Sequence, residues 1–198
     1  MSRNVKKGTR RKPVAKGSKG IQKASGLKKV HPSSICTCCI APMQKALSQI
    51  VGQQVTLVTE ADQPNRELLF QTATIQTVDN YLVSMVNESL THVVSICDVV
   101  AVLFNTGPMM ALAQPQASKG ECLCKERPFR EQFNTLINMP IDVTFKNGLV
   151  LKSGIVLRTG EGTIYLQSSD ATQSCVASIE KMSYFTEAKE KKGSIVLS

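Results

Sequence analysis

The chain has 198 residues, 42% of them hydrophobic, with no tryptophan, seven cysteines and a formal net charge of +9. That length suits one medium domain or two small ones, each with a modest aliphatic core. The longest apolar run, "VVAVLF", is far short of a membrane span, and no apolar segment follows the basic N-terminus as a secretory signal would require, so cytosolic synthesis is expected.

The charge is concentrated at the start. Arg3, Lys6, Lys7, Arg10, Arg11, Lys12, Lys16, Lys19, Lys23, Lys28 and Lys29 make eleven cations with no acid, whereas the remaining residues carry a net −2. Gly, Ser and Lys dominate this stretch without apolar periodicity, which reads as a disordered basic tail over residues 1–34. Such a tail can dock on an acidic protein or polymer, or bind nucleic acid through phosphate neutralisation. It has no aromatic residue to stack on bases.

Next comes "SSICTCCIAPMQKAL", with Cys36, Cys38 and Cys39 in four residues. "GECLCKERPFREQF" repeats the Cys-x-Cys spacing at Cys122 and Cys124. Laid over each other at an offset of 86, the two stretches place Cys36 on Cys122, Cys38 on Cys124, Pro42 on Pro128 and Leu47 on Phe133. Further on, Ser95, Ile96 and Val99 fall on Ser178, Ile179 and Met182 at an offset of 83. The first copy therefore has three extra residues, expected within "EADQPNRE" opposite the shorter "KNG".

Each copy opens with a short helix. Its proline suits the first turn, and its apolar face comprises Met43, Leu47, Ile50 and Val51, or Phe129, Phe133, Leu136 and Ile137. Period-two patterns follow. In the first copy the expected strands are "QVTLVT", "LLFQTATIQTV", "NYLVSMV" and "VVSICDVVAVLF". In the second, Ile141, Val143 and Phe145 alternate with polar residues, Asn147-Gly148 forms a hairpin turn, and "LVLKSGIVL", "GTIYLQS" and "VASIEKMSYF" complete the set. Gly154 marks a bend or bulge in mid-strand.

This pattern predicts a mainly β chain of two tandem small open barrels of Sm-like or SH3-like shape, each with a short N-terminal helix. The expected divisions are a disordered tail over 1–34, a first repeat over 35–104, a linker over 105–121, a second repeat over 122–186 and a C-terminal tail over 187–198. The final "GSIVLS" is strand-prone and suited to pairing with an open edge.

"IDVTFKNG", "LKSGIV" and "SIEKMSYF", following a short helix, resemble the Sm-like repeats of spore coat proteins of the CotB type. The resemblance covers residues 43–104 and 129–185. It implies a structural, non-enzymatic component of the endospore coat or outer spore layers. Such a protein would be made in the mother-cell cytoplasm and would assemble with other coat proteins and as a homo-oligomer. The chain departs from the family in lacking a Gly-Gly-Pro-Glu turn and in carrying its basic tail at the N-terminus.

The alternative is a cytosolic Sm-like RNA binder using the basic tail. Asp79-Asn80 is all that remains of the Sm-type RNA loop, and the last-strand positions lack Arg-Gly. Tyr81 and Tyr165 are the stacking candidates.

The cysteines allow three roles. Cys36, Cys38, Cys39, Cys122 and Cys124, on accessible pre-helix segments, suit cross-linking between chains after assembly. Alternatively, Cys36, Cys38, Cys122 and Cys124 form a tetrathiolate zinc site, although Cys-x-Cys is tighter than usual zinc-ligand spacing. Cys97 and Cys175 read as small core hydrophobes. No catalytic constellation is found: His31 beside the first cluster is the nearest approach to a Cys-His pair, and Asp98 and Asp142 are single carboxylates in strand contexts.

Overall fold

The structure, a computed structural model, describes residues 36–107, 109–115, 120–188 and 193–198. The basic tail, with its eleven cations and His31, lies outside the described residues. The described residues form one compact unit.

The first repeat opens with a π-helical turn, Cys36–Ile40, that runs into helix α1 (Ala41–Leu47). Five strands follow: β1 (Gln54–Thr59), β2 (Phe70–Asp79), β3 (Leu82–Asn87), β4 (Leu90–Ser95) and β5 (Val99–Asn105). The second repeat has α2 (Glu121–Lys125), α3 (Arg127–Thr135), β6 (Pro140–Phe145), β7 (Val150–Thr159), β8 (Thr163–Gln167), β9 (Gln173–Ser178) and β10 (Met182–Glu187). A last short strand, β11 (Val196–Leu197), pairs with β7, so the C-terminal segment does find a strand partner.

The eleven strands of the described residues all belong to one antiparallel sheet. Its order is β10-β6-β7-β8-β9-β5-β1-β2-β3-β4. The first repeat contributes β5-β1-β2-β3-β4 and the second contributes β10-β6-β7-β8-β9, the same internal order. The two are joined where β5 pairs with β9, from Ala101 opposite Ala177 to Asn105 opposite Gln173. The repeats expected as separate domains thus share their sheet.

Both repeats are bent at the same place. The β1–β2 register slips between Val55 and Leu57, and the β6–β7 register between Ile141 and Val143. Opposite the slips, Thr72 (φ 52°) and Ser153 (φ 60°) take left-handed backbone. These are bulges. The second lies at Ser153, beside Gly154 rather than on it, and the Asp142 carboxylate accepts the Ser153 N–H at 2.8 Å. Gly154 serves close packing instead: a Cβ there would lie 3.0 Å from the Leu151 side chain.

The segments "VVSICDVV" and "VASIEKM", expected as continuous strands, each contain a corner. A 3₁₀ turn, Ile96–Asp98 or Ile179–Lys181, separates β4 from β5 and β9 from β10. The Ser95 hydroxyl accepts the Cys97 N–H and stops the ladder. The corner carries the chain from one end of the five-strand order to the other, where β5 meets β1 and β10 meets β6.

The helix faces are shorter than expected. Met43, Leu47, Ile50 and Phe133 are buried, but Val51 and Ile137 are exposed. Val51 is already extended (ψ 135°) and Gly52 is left-handed, while α3 ends at Thr135, ahead of left-handed Asn138. The helical period ends before the last apolar residue of each run.

The loop lengths also depart from a single insertion. Residues 60–69 connect β1 to β2 against 146–149 between β6 and β7, but the β8–β9 connection (168–172) is longer than its counterpart (88–89). The long loop is ordered by Asp62. Its buried carboxylate accepts the Thr59 N–H, the Thr59 hydroxyl and the Leu69 N–H at 2.7 to 2.9 Å.

The β3–β4 turn puts Glu88 (φ 48°) and Ser89 (φ 69°) in left-handed backbone that favours Asn and Gly. A Glu88→Asn, Ser89→Gly variant is expected to be about 1 kcal/mol more stable. Urea denaturation checks this, and an unchanged midpoint would count against the turn assignment.

Two cores interlock across the junction. Tyr165 and Val176 of the second repeat lie in the core of the first, while Val58, Val100, Ala101 and Leu103 of the first lie in the core of the second. Each of the valine and leucine side chains among them contributes roughly 1.5–3 kcal/mol of burial. Tyr165 is buried and donates to the Ser174 hydroxyl at 2.8 Å, so it is not free to stack on a base.

The expected linker is packed as well. Met110 and Leu112 are buried, the Gln49 side chain pairs with both backbone groups of Ala111, and the Glu161 N–H donates to the Ala113 carbonyl.

Candidate functional site

The densest chemistry lies where the helical start of the first repeat meets the β7–β8 loop of the second. Cys38 and Cys122 are joined by a disulfide across 84 residues, with a Cα–Cα distance of 6.0 Å. Cys39 sits beside it, its sulfur 3.7 Å from that of Cys38. All three are buried. The bond does not join equivalent positions, because the duplication aligns Cys122 with Cys36 and Cys38 with Cys124.

This corrects two expectations. Cys38 and Cys122 are buried in helical turns rather than held on accessible loops, so they join the repeats of one chain rather than two chains. The tetrathiolate zinc site also loses two of its four ligands, since disulfide sulfurs are not thiolates. The residues present do not fit that site.

The other thiols divide by environment. Burial pushes the Cys39 thiol up to about 12, with the Glu126 carboxyl adding to the effect. Cys175 is raised further by burial alone. Both are held as unreactive thiols. Cys97 is half-buried in the 3₁₀ turn. Cys124 is exposed, and its Sγ donates only a long 3.5 Å contact to the Glu121 carbonyl. Cys36 begins the π-helical turn.

A charged pair borders the site. Glu126 is fully buried, and Arg130, one turn on in α3, approaches it at 3.3 Å. Glu126 Oε1 accepts the Gly162 N–H at 3.1 Å, while Oε2 has no hydrogen-bond partner among the described residues. Burial raises the Glu126 pKa, against the opposing pull of the Gly162 N–H and of Arg130. A carboxyl with a raised folded pKa adds stability below its unfolded value and loses it as pH rises through the folded value.

Gly162 is the contact point itself. Its φ is 63°, and a Cβ there would fall 1.8 Å from the Cys38 carbonyl oxygen. Glu126, Arg130 and Gly162 escaped the sequence reading. Their only sequence signals are the i,i+4 acid–base spacing and the paired glycines of "TGEG".

A second set of charges also ties the repeats. Lys181 meets Glu60 at 2.7 Å and Glu180 at 3.2 Å, and Lys146 meets Glu180 at 3.0 Å. Burial works against the Lys181 charge, but its two carboxylate partners more than offset this and hold its pKa above the usual value. Asn147 also donates to the Thr59 carbonyl at 3.0 Å.

The arrangement therefore clasps two repeats rigidly and leaves Cys124 outside. Alkylation of the folded protein is expected to modify Cys124 and to spare Cys39 and Cys175 even at pH 9, as read by peptide mass spectrometry. Equal labelling of Cys39 would refute this burial. No family model, curated protein or solved structure matches the chain.

Proposed function

We propose that the chain is a structural, non-enzymatic subunit of the endospore coat or outer spore layers, assembling with coat proteins and with itself. In this reading each repeat is a small Sm-like or SH3-like open barrel. The shared strand order of the halves, the matching bulges and the matching 3₁₀ corners support that assignment. The spore setting rests on the resemblance of the repeats to CotB-type coat proteins.

The observation that carries the structural role is the clasp. A buried disulfide and a continuous β5–β9 ladder make the tandem stiff, while an exposed thiol, Cys124, is left for linkage to neighbours. Cytosolic synthesis would keep all these thiols reduced at first; after mother-cell lysis, dioxygen would accept two electrons and two protons per bond as Cys38 and Cys122 close the clasp and Cys124 joins a thiol of a neighbour. The test is extraction of purified spores with and without reductant. The protein is expected to appear late in sporulation, to stay with the spore, and to need reductant for full release. A Cys124→Ser strain is expected to lose that need. Absence from purified spores would overturn the reading.

A further inference from the structure

We propose that copies of this chain associate head to tail, the outer edge of β10 in one copy pairing with the outer edge of β4 in the next. The inference deepens the assembly reading by naming one partner, a second copy of the same chain.

The internal junction is the template. Within one chain, the last strand of the first repeat (β5) pairs with the fourth strand of the second (β9). β10 is the second repeat's counterpart of β5, and β4 is the first repeat's counterpart of β9. Among the described residues, neither β10 nor β4 has a strand on its outer side. β5 and β9 are buried along most of their length, whereas β4 exposes Leu90 and Val93, at 64% and 62%, and β10 exposes Tyr184 at 56%. Carrying the β5–β9 register across the duplication sets Tyr184 opposite Val94 and Phe185 opposite Val93 of the next copy.

Two further observations favour a second copy as occupant. The first is a groove of about 530 Å³ beside β4, whose lining includes Leu69, Phe70, Val93, Val94 and Asp98. The second is charge. Inside the chain, Glu60 of the first repeat holds Lys181 of the second. The counterparts of these residues are Lys146, which like Glu60 follows directly on its strand, and Asp98, which like Lys181 ends its 3₁₀ turn. The equivalence is anchored by matching backbone bonds, Glu60 N–H to the Asp98 carbonyl and Lys146 N–H to the Lys181 carbonyl. At a head-to-tail junction Lys146 would therefore face Asp98 of the next copy. The signs are swapped but the pair remains complementary.

The cysteine clasp does not carry over. Tyr81 stands where Gly162 stands, since Ile96 and Ile179 donate to their respective carbonyls. Tyr81 possesses the Cβ that Gly162 must lack, so α2 of a neighbour cannot seat there as Cys38 seats on Gly162. The outer face of β10 is also more polar, with Ser183, Tyr184 and Thr186 where β5 has Val100, Ala101 and Leu103. The junction is thus reversible and weaker than the internal one, and it repeats as an open, head-to-tail contact.

The test uses purified full-length protein with Cys36→Ser and Cys124→Ser, kept without reductant so that the clasp stays closed and chains do not cross-link. Sedimentation velocity over a concentration series is expected to show mass rising beyond a dimer. Val93→Lys on β4 and Tyr184→Lys on β10 should each raise the dissociation constant at least about tenfold. Mixing the two variants should give one-to-one dimers that do not extend, because one intact β10 edge and one intact β4 edge remain between them. That complementation also shows that both variants are folded. A monomer at every concentration would overturn the proposal, as would association insensitive to either variant. Loss in the Val93→Lys variant alone would also overturn it, by showing β4 pairing with itself. Because no spore material is used, failure here leaves the spore setting to its own test.

Discussion

Gly162→Ala is expected to destabilise the protein by more than about 3 kcal/mol and to open the contact between the repeats. Two penalties combine. An alanine at φ 63° is strained in itself, and its Cβ would lie 1.8 Å from the Cys38 carbonyl oxygen and 2.5 Å from the Cys39 Cα. Both neighbours are backbone atoms of a turn anchored by the Cys38–Cys122 bond, so no side-chain rotation relieves the clash. The turn must move, and with it the buried Cys39. Gly148→Ala is the comparison. It is also left-handed, at φ 88°, but its nearest neighbour is the Pro64 ring at 3.1 Å, and a cost of about 1 kcal/mol is expected. Urea denaturation of both variants, with Cys39 alkylation as a local probe, decides the matter. A Gly162→Ala midpoint no lower than that of Gly148→Ala would refute the close approach.

The second large effect is loss of the disulfide. The Cys38→Ala, Cys122→Ala double variant is expected to lose about 4 kcal/mol, because the bond closes a long loop and so restricts the unfolded chain. Cys124→Ser, at an exposed thiol, should stay within about 0.5 kcal/mol of the parent. Denaturation midpoints measured without reductant separate the two. Equal midpoints for the parent and the double variant would mean that packing alone holds the repeats. Partial survival has a physical basis, since the β5–β9 ladder and the interlocked cores remain in the double variant.

These two outcomes bear on assembly. A tandem held by a covalent bond, a ladder and the Lys181–Glu60 pair presents its two outer edges at a set spacing. In the proposed head-to-tail assembly, rigidity of that kind would lower the ordering cost of each further contact.

Much of the local plan was legible in the residues. The duplication, the proline-led helices, the Asn147-Gly148 hairpin and the strand-forming C-terminus all follow from short-range patterns, and each is present in the fold. Local signals also account for the two corners in retrospect, through Ser95 capping Cys97, though apolar continuity hid them. What only the tertiary structure decided is how the copies meet. Nothing local says that β5 pairs with β9, that Tyr165 crosses into the core of the first repeat, or that Cys38 bonds Cys122 rather than serving another chain. The reason is that strand edges, core membership and sulfur distances depend on segments about eighty residues apart. A sequence pattern specifies which face of an element is apolar, but the partner that covers that face is chosen by packing of the whole sheet.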